Sequence, residues 1–378
     1  MIYLLVDRWY EWLHAHGLSF LRVFLAPTFQ VTASILLSFL ICILLGPTVI
    51  AWLRKQKIGD APNFDQAEMD KLMALKKGVP TMGGLLIILS IVVSTLLLAN
   101  LRNFYVEMAL LCLVWLGMVG AADDWLKLTA GRRSGSRQGL TGLEKLLFQI
   151  GLSVLLAYFT FNYDRNTTHT LYYPFLKSAG TPLNRGMFIL IATIVMTGAS
   201  NAVNLTDGLD GLASGCMAIV GFAFCILALI VGTRPWATEL LIPYVQKTDQ
   251  MAVLAGCTVG ACLGFLWFNC HPASVFMGDT GSLALGGLIG YIAIVVRQEL
   301  VLFLVGGVFV MEAVSVILQV SYFKYTRKRY GEGRRIFLIS PLHGHFLRKG
   351  WTETQVVVRF WLIGAMLAAM ALATVKLR

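Results

Sequence analysis

The sequence is short of charge. Asp, Glu, Lys and Arg make up 13% of its 378 residues, against roughly a quarter in soluble domains. With 57% of residues hydrophobic, a soluble globule is excluded and a polytopic membrane protein is implied. Paired cysteines are lacking too. Seven occur singly (Cys42, Cys112, Cys216, Cys225, Cys257, Cys262 and Cys270), without any Cys-x-x-Cys spacing, so neither a disulfide framework nor a thiolate metal site is expected. They read as packing residues inside apolar runs. No basic face with interleaved aromatics stands out, so the net charge of +11 does not point to nucleic acid. Basic loops against an anionic membrane surface, or against phosphate-bearing substrates, explain it better. Met1 to Val6 is too short an apolar run, and lacks the basic leader, for a cleavable signal.

What is present is apolar length. Ten stretches approach the about 20 residues that a spanning helix needs: 31–53, 82–100, 104–122, 143–162, 186–203, 209–232, 251–269, 281–296, 300–322 and 354–376. The fifth and eighth are the short ones by this reading. The fold class expected is all-α, a single membrane-embedded domain of ten transmembrane helices. Residues 7–25, with Trp9, Trp12, Phe20 and Phe24 among Arg8, Glu11, His14 and Arg22, form an expected interfacial helix ahead of them. The odd-numbered loops hold 18 Lys and Arg residues against 10 in the even loops and termini, which places the odd loops in the cytoplasm and the termini outside. Gly256-x-x-x-Gly260-x-x-x-Gly264 and Gly286-x-x-x-Gly290 have the spacing of close helix packing in lipid.

Against this background the polar residues are concentrated. Asn201-Ala-Val-Asn-Leu-Thr-Asp-Gly-Leu-Asp-Gly211 sets Asp207 and Asp210 one helical turn apart beside Gly208 and Gly211, although Thr206 or Asp207 would also serve as an ordinary helix cap. Asp123 and Asp124 end the third span, and Asp279 lies in the seventh loop, Asn269-Cys-His-Pro-Ala-Ser-Val-Phe-Met-Gly-Asp-Thr-Gly281. All three acidic clusters thus fall on one face. Adjacent carboxylates at a membrane boundary need counter-charge, and carboxylates without soft ligands suit Mg²⁺. Lys76 and Lys77 before Gly78-Val-Pro-Thr-Met-Gly-Gly84, with Lys127 and Lys145, are candidate phosphate partners, or positive-inside anchors. The ninth loop carries a basic run, Lys324 to Arg335, and then His343 and His345, which suit metal, phosphate or acid–base work. Glu312 lies mid-span, where an ionisable residue is a functional candidate or is held by a structural partner.

Pro80-Thr-Met-Gly-Gly84, Ala122-Asp-Asp124, the Asn201–Gly211 run, Phe276-Met-Gly-Asp-Thr-Gly-Ser282 and Pro341-Leu-His-Gly-His345 together resemble the polyprenyl-phosphate N-acetylhexosamine-1-phosphate transferases. Within that superfamily the resemblance is to the branch that loads phospho-N-acetylmuramoyl-pentapeptide, and it covers all ten spans. It implies Mg²⁺-dependent transfer from UDP-N-acetylmuramoyl-pentapeptide to undecaprenyl phosphate at the cytoplasmic face of the bacterial inner membrane, with release of UMP. A homodimer is compatible with it. By motif, Asp279 resembles the Mg²⁺ ligand, and Asp123 and Asp124 resemble the pair facing the attacking lipid phosphate. Lys76, Thr81, Asn204, Asp207, Gly208, Leu209, Asp210, Asn269, Phe276 and Gly278 match positions around the nucleotide diphosphate. Lys127 and Lys145 match phosphate-side lysines, and His343 and His345 remain of the family's histidine motif as substrate-binding candidates. The departure is at Gly344 and Leu347, where the family usually has His and Glu. The alternatives are a sister enzyme that loads N-acetylglucosamine-1-phosphate and, from another class, a proton-coupled transporter. The transporter predicts its acids near the bilayer midplane.

Overall fold

The computed structural model describes residues 1–56, 78–130, 139–163, 169–176 and 180–376. The described chain is helical apart from one two-stranded hairpin, β1 (Thr170–Tyr172) against β2 (Gly180–Pro182), antiparallel with Thr170 opposite Pro182. Two short helices, α1 (Ile2–Arg8) and α2 (Tyr10–Ala15), and a 3-10 turn (Ser19–Leu25) precede the first long helix. The expected interfacial helix over 7–25 is therefore three pieces, broken at Trp9 and Gly17, the latter with φ +75°. Trp9, Trp12 and Phe20 are exposed along it.

Next come α3 (Pro27–Lys55), α4 (Gly84–Leu98), α5 (Phe104–Ala130), α6 (Gly142–Tyr163), α7 (Arg185–Thr206), α8 (Leu212–Gly232), the short α9 (Arg234–Glu239), α10 (Asp249–Asn269), α11 (Gly278–Val295), α12 (Glu299–Val305), α13 (Gly307–Tyr330), α14 (Leu342–Arg348) and α15 (Glu353–Lys376). Among the described residues, nine helices are long and apolar enough to cross a membrane, and α4, at 15 residues, is the short one. The fifth stretch, expected to be short, is the 22-residue α7.

Two expected boundaries move for local reasons. The third span does not stop at Asp123: α5 runs on to Ala130, because nothing between Trp125 and Ala130 breaks a helix. The ninth span is interrupted at Gly306–Gly307, the weakest helix formers available, and then continues to Tyr330, so much of the basic run Lys324 to Arg335 is helix and not loop.

Small residues set the packing. α10 lies against α3, where a Cβ on Gly260 would sit 2.1 Å from the Ile35 carbonyl oxygen and one on Gly264 would sit 2.7 Å from Cys42 Cβ. The Gly286 side of α11 meets the Ala199 carbonyl of α7 in the same way. Both four-residue glycine stripes are packing surfaces, as their spacing predicts. Ser38 Oγ donates to the Cys257 carbonyl at 2.7 Å across the α3–α10 contact. α11 is buried along almost its whole length, so the other long helices are arranged around it and α10.

Because the Gly260 neighbour is backbone, no side chain can swing away from an added methyl. Gly260→Ala should destabilise the detergent-solubilised protein by roughly 1–3 kcal/mol, read as a lower midpoint of thermal unfolding. An unchanged midpoint would mean that the α3–α10 contact is looser than described.

Candidate active site

The third, fourth and eighth long helices converge on three carboxylates and two lysines. Asp123 is fully buried in α5, and its Oδ2 lies 2.7 Å from Lys127 Nζ, one turn along the same helix, and 2.8 Å from Lys145 Nζ of α6. Lys145 also reaches Asp279 Oδ2 at 2.6 Å, and Lys127 lies 3.4 Å from it. The Leu140 N–H donates to Asp123 Oδ1 at 2.7 Å, so both oxygens of this carboxylate are engaged. Asp124 turns the other way. It accepts from the Asp279 N–H at 3.2 Å, the Thr280 N–H at 3.0 Å and the Thr280 hydroxyl at 2.7 Å. Asp124 thereby caps the first turn of α11 from a neighbouring helix, satisfying amides that have no intrahelical acceptor. That approach needs Gly120, since a Cβ there would fall 2.2 Å from the Asp279 carbonyl oxygen.

Two motif segments interlock beside this centre. The Phe276 N–H donates to the Pro80 carbonyl, and the Gly83 and Gly84 N–H groups donate to the Phe276 and Met277 carbonyls, at 2.8–2.9 Å. Gly278, at φ +73°, makes the turn that starts α11 and carries Thr81 and Asp124 against it. Lys76, expected beside them, lies outside the described residues, as does Lys77.

The Asp207–Gly211 turn joins α7 to α8. Asp207 is the C-terminal cap residue of α7, and α8 begins behind Gly211 in a left-handed conformation, with no side-chain cap. Thr206, the other candidate cap, bonds back to the Ala202 carbonyl within α7. Asp207 and Asp210 do not share a helical face, because the chain leaves the helix between them. Asp207 faces the Gly278 N–H and the Asp124–Asp279 charges, whereas Asp210 faces Ala273. Leu209 and Asn269 are buried, and Asn269 spends its amide on Gly211, Ser214 and Val275. Asn269 ties the fifth loop to the seventh. Asn204 is half-buried and Gly208 exposed on this turn.

The two histidines separate. His343 is buried, its N–H donates to Glu312 Oε1 at 3.1 Å, and its Nδ1 lies 3.2 Å from Glu312 Oε2. Its Nε2 points at Gly208, close enough that a Cβ there would fall 2.4 Å away. Glu312, the intramembrane acid, is thus the group that orients His343. His345 turns away and accepts from the Leu338 N–H at 3.1 Å, while burial, with help from Lys349, holds its imidazole below the usual range. At Gly344 an added Cβ would fall 2.9 Å from the Ile339 side chain, so any side chain there displaces Ile339.

The site therefore collects Asp123, Asp124, Lys127, Lys145 and Asp279 into one centre, with Asp207, Gly208 and His343 forming its neighbouring wall. Asp123, Asp124 and Asp279 each bring an oxygen within 4.8 Å of the others, an all-oxygen donor set that fits a hard divalent cation. Thr280 and Gly120 escaped the sequence reading. Their contacts run between residues more than a hundred positions apart, and neither carries charge. Among the described residues three carboxylates meet two ammonium groups here, an arrangement that suits a cation together with a phosphorylated ligand.

Helices long and apolar enough to span a membrane thus carry a carboxylate–lysine centre, and the family that the chain matches gives the class of protein as a transferase. The family described as glycosyl transferase family 4 matches residues 106–297, which span α5 to α11. A phospho-N-acetylmuramoyl-pentapeptide-transferase of Desulfotalea psychrophila (strain LSv54 / DSM 12343) is 46% identical over 360 residues, covering 94% of this chain and 96% of the relative. The chain belongs to the phospho-N-acetylmuramoyl-pentapeptide-transferase family.

Burial first, and then the charges of Asp279 and Asp124, push the Asp207 carboxyl up from 3.8 to about 7. A carboxyl raised on folding stabilises the fold while protonated, and that stabilisation is lost as pH rises through the folded value. In cation-free detergent solution the thermal midpoint should fall between about pH 4 and about pH 7, and Asp207→Asn should flatten the slope. A variant with the wild-type slope would show that another group causes it.

Proposed function

We propose that the chain transfers phospho-N-acetylmuramoyl-pentapeptide from UDP-N-acetylmuramoyl-pentapeptide to undecaprenyl phosphate. An oxygen of the lipid phosphate attacks the β-phosphorus, the bond from that phosphorus to the bridging oxygen breaks, and UMP leaves with that oxygen. The observation that carries this reading is the lattice in which Lys127 and Lys145 each contact both Asp123 and Asp279. Phosphoryl transfer needs positioning and charge neutralisation more than covalent chemistry, and two lysines held at fixed positions beside an all-oxygen cation site supply both.

Asp279, with Asp123 and Asp124, would hold the Mg²⁺, whose charge serves to screen the diphosphate and the departing phosphate. Asp123, already accepting from two lysines and an amide, is suited to holding those lysines and not to taking a proton. The lipid phosphate is largely ionised near neutral pH and needs little base assistance. Lys127, 41% exposed, faces the incoming phosphates, while Lys145 is more enclosed and bridges α5 to α11 through its two carboxylates. Asp207 and Gly208 are assigned to the uridine end, with Phe276 by its motif position, and His343 approaches Gly208. The Lys and Arg excess of the odd-numbered loops supports a cytoplasmic active site in a bacterial inner membrane, with the termini outside.

The test is UMP release by purified protein given both substrates and Mg²⁺. Release should vanish with EDTA, and Asp279→Asn should lower kcat by about a hundredfold or more. Lys145→Met should do likewise while Lys145→Arg retains part of the rate. Turnover that persists in EDTA, or in Asp279→Asn, would overturn the proposal, and turnover of UDP-N-acetylglucosamine alone would move the chain to the sister activity.

A further inference from the structure

The Asp210 end of the nucleotide-side turn is held from outside the centre just described. The turn between α7 and α8 has few bonds of its own: Asp207, Gly208 and Leu212 donate to Asn204, Thr206 and Leu209 carbonyls. The Asp210 N–H lies beyond both helices and donates to Glu353 Oε1 at 2.9 Å, a residue 143 positions later in the first turn of α15. The imidazole of His271 lies between the two acids, its Nδ1 at 3.1 Å from Asp210 Oδ2 and 3.7 Å from Glu353 Oε2. The Ala273 N–H completes the set, donating to Asp210 Oδ2 at 3.2 Å. The Asp210 and Glu353 side chains are 3% and 8% exposed, while His271 is 42% exposed and closes the cluster from outside.

We propose that Glu353 and His271 are positioning residues that clamp Asp210, and through it the Asp207–Gly211 turn, in the geometry that receives the nucleotide. Two enclosed carboxylates side by side repel each other unless a donor stands between them. His271 with its hydrogen on Nδ1 is that donor. Glu353 is fixed in turn because α15 packs on α8, where a Cβ on Gly215 would fall 2.2 Å from Trp361 Nε1. The cluster therefore joins the fifth loop, the seventh loop and the last helix. It leaves the reacting centre untouched: neither Glu353 nor His271 contacts Asp123, Asp124 or Asp279 among the described interactions. The inference rests on the proposed function and extends it, by separating what holds the nucleotide from what performs transfer.

Steady-state kinetics of UMP release, with each substrate varied in turn, test it. Glu353→Ala should raise KM for UDP-N-acetylmuramoyl-pentapeptide about tenfold or more, the effect of losing a hydrogen bond to a charged acceptor, with kcat and the lipid KM changed by less than about threefold. Glu353→Gln keeps an oxygen for the Asp210 N–H and should return KM to within about threefold of wild type. His271→Leu should raise KM and His271→Asn, whose Nδ2 can stand in for Nδ1, should not. The exposed position of His271 makes that pair informative even where Glu353→Ala fails to fold. Should the wild type release no UMP, the functional proposal fails while the clamp is read from calorimetric binding of UDP. There, loss in Glu353→Ala with recovery in Glu353→Gln supports the clamp. Equal KM or equal UDP affinity in Glu353→Ala and wild type, a Gln variant no better than Ala, or a fall in kcat at unchanged KM would overturn it.

Discussion

The bridge from Asp123 through Lys127 and Lys145 to Asp279 is the interaction on which the rest of the structure depends. A carboxylate with no exposure, close to an apolar bilayer, is costly to keep ionised unless cations stand beside it. Asp123 has two, both within 2.8 Å, and each also meets Asp279. The consecutive helices α5 and α6 and the distant α11 are thereby fixed relative to one another. Among the described residues the carboxylates outnumber the lysines at this bundle end, which is the feature that the proposed cation and phosphate binding draws on.

That bridge constrains the packing around it. α5 and α11 must touch for Asp123 and Asp279 to share lysines, and Gly120 permits the contact. Asp124, the immediate neighbour of Asp123, spends its oxygens on the first turn of α11 and not on the lysines. The adjacent pair thus divides its work: one acid organises charge and the other fixes the helix that carries Asp279. A second division runs through the next loop, where Asp207 looks into the centre and Asp210 looks toward the last helix. The Glu312–His343 pair adds a third wall, and it gives the intramembrane acid a local partner.

Much of this was legible in the sequence, because apolar length and glycine spacing respond to lipid directly. The ten apolar stretches, the packing role of Gly256, Gly260 and Gly264, and the gathering of Asp123, Asp124 and Asp279 with Lys127 and Lys145 all followed from local pattern and motif. What was not legible depended on direction. Helix boundaries moved near Asp123, where nothing in the following residues breaks the helix, and at Gly306–Gly307, where two poor helix formers interrupt an apolar run. The spacing of Asp207 and Asp210 fits one face of a helical turn, but α7 ends with Asp207 as its cap residue and the chain leaves the helix before Asp210. His343 and His345, two apart in a short helix, were treated as one unit, yet they point to Gly208 and to Leu338 respectively. The roles of Thr280, His271 and Glu353 come from contacts that no local pattern encodes.

Binding of Mn²⁺ followed by electron paramagnetic resonance bears most directly on the charge-balanced centre, since it reads the cation site without requiring turnover. One Mn²⁺ bound per chain, lost in Asp279→Asn and kept in Asp210→Asn, is the predicted result. Mn²⁺ held as tightly by Asp279→Asn as by the wild type would contradict it and would place the cation elsewhere in the protein.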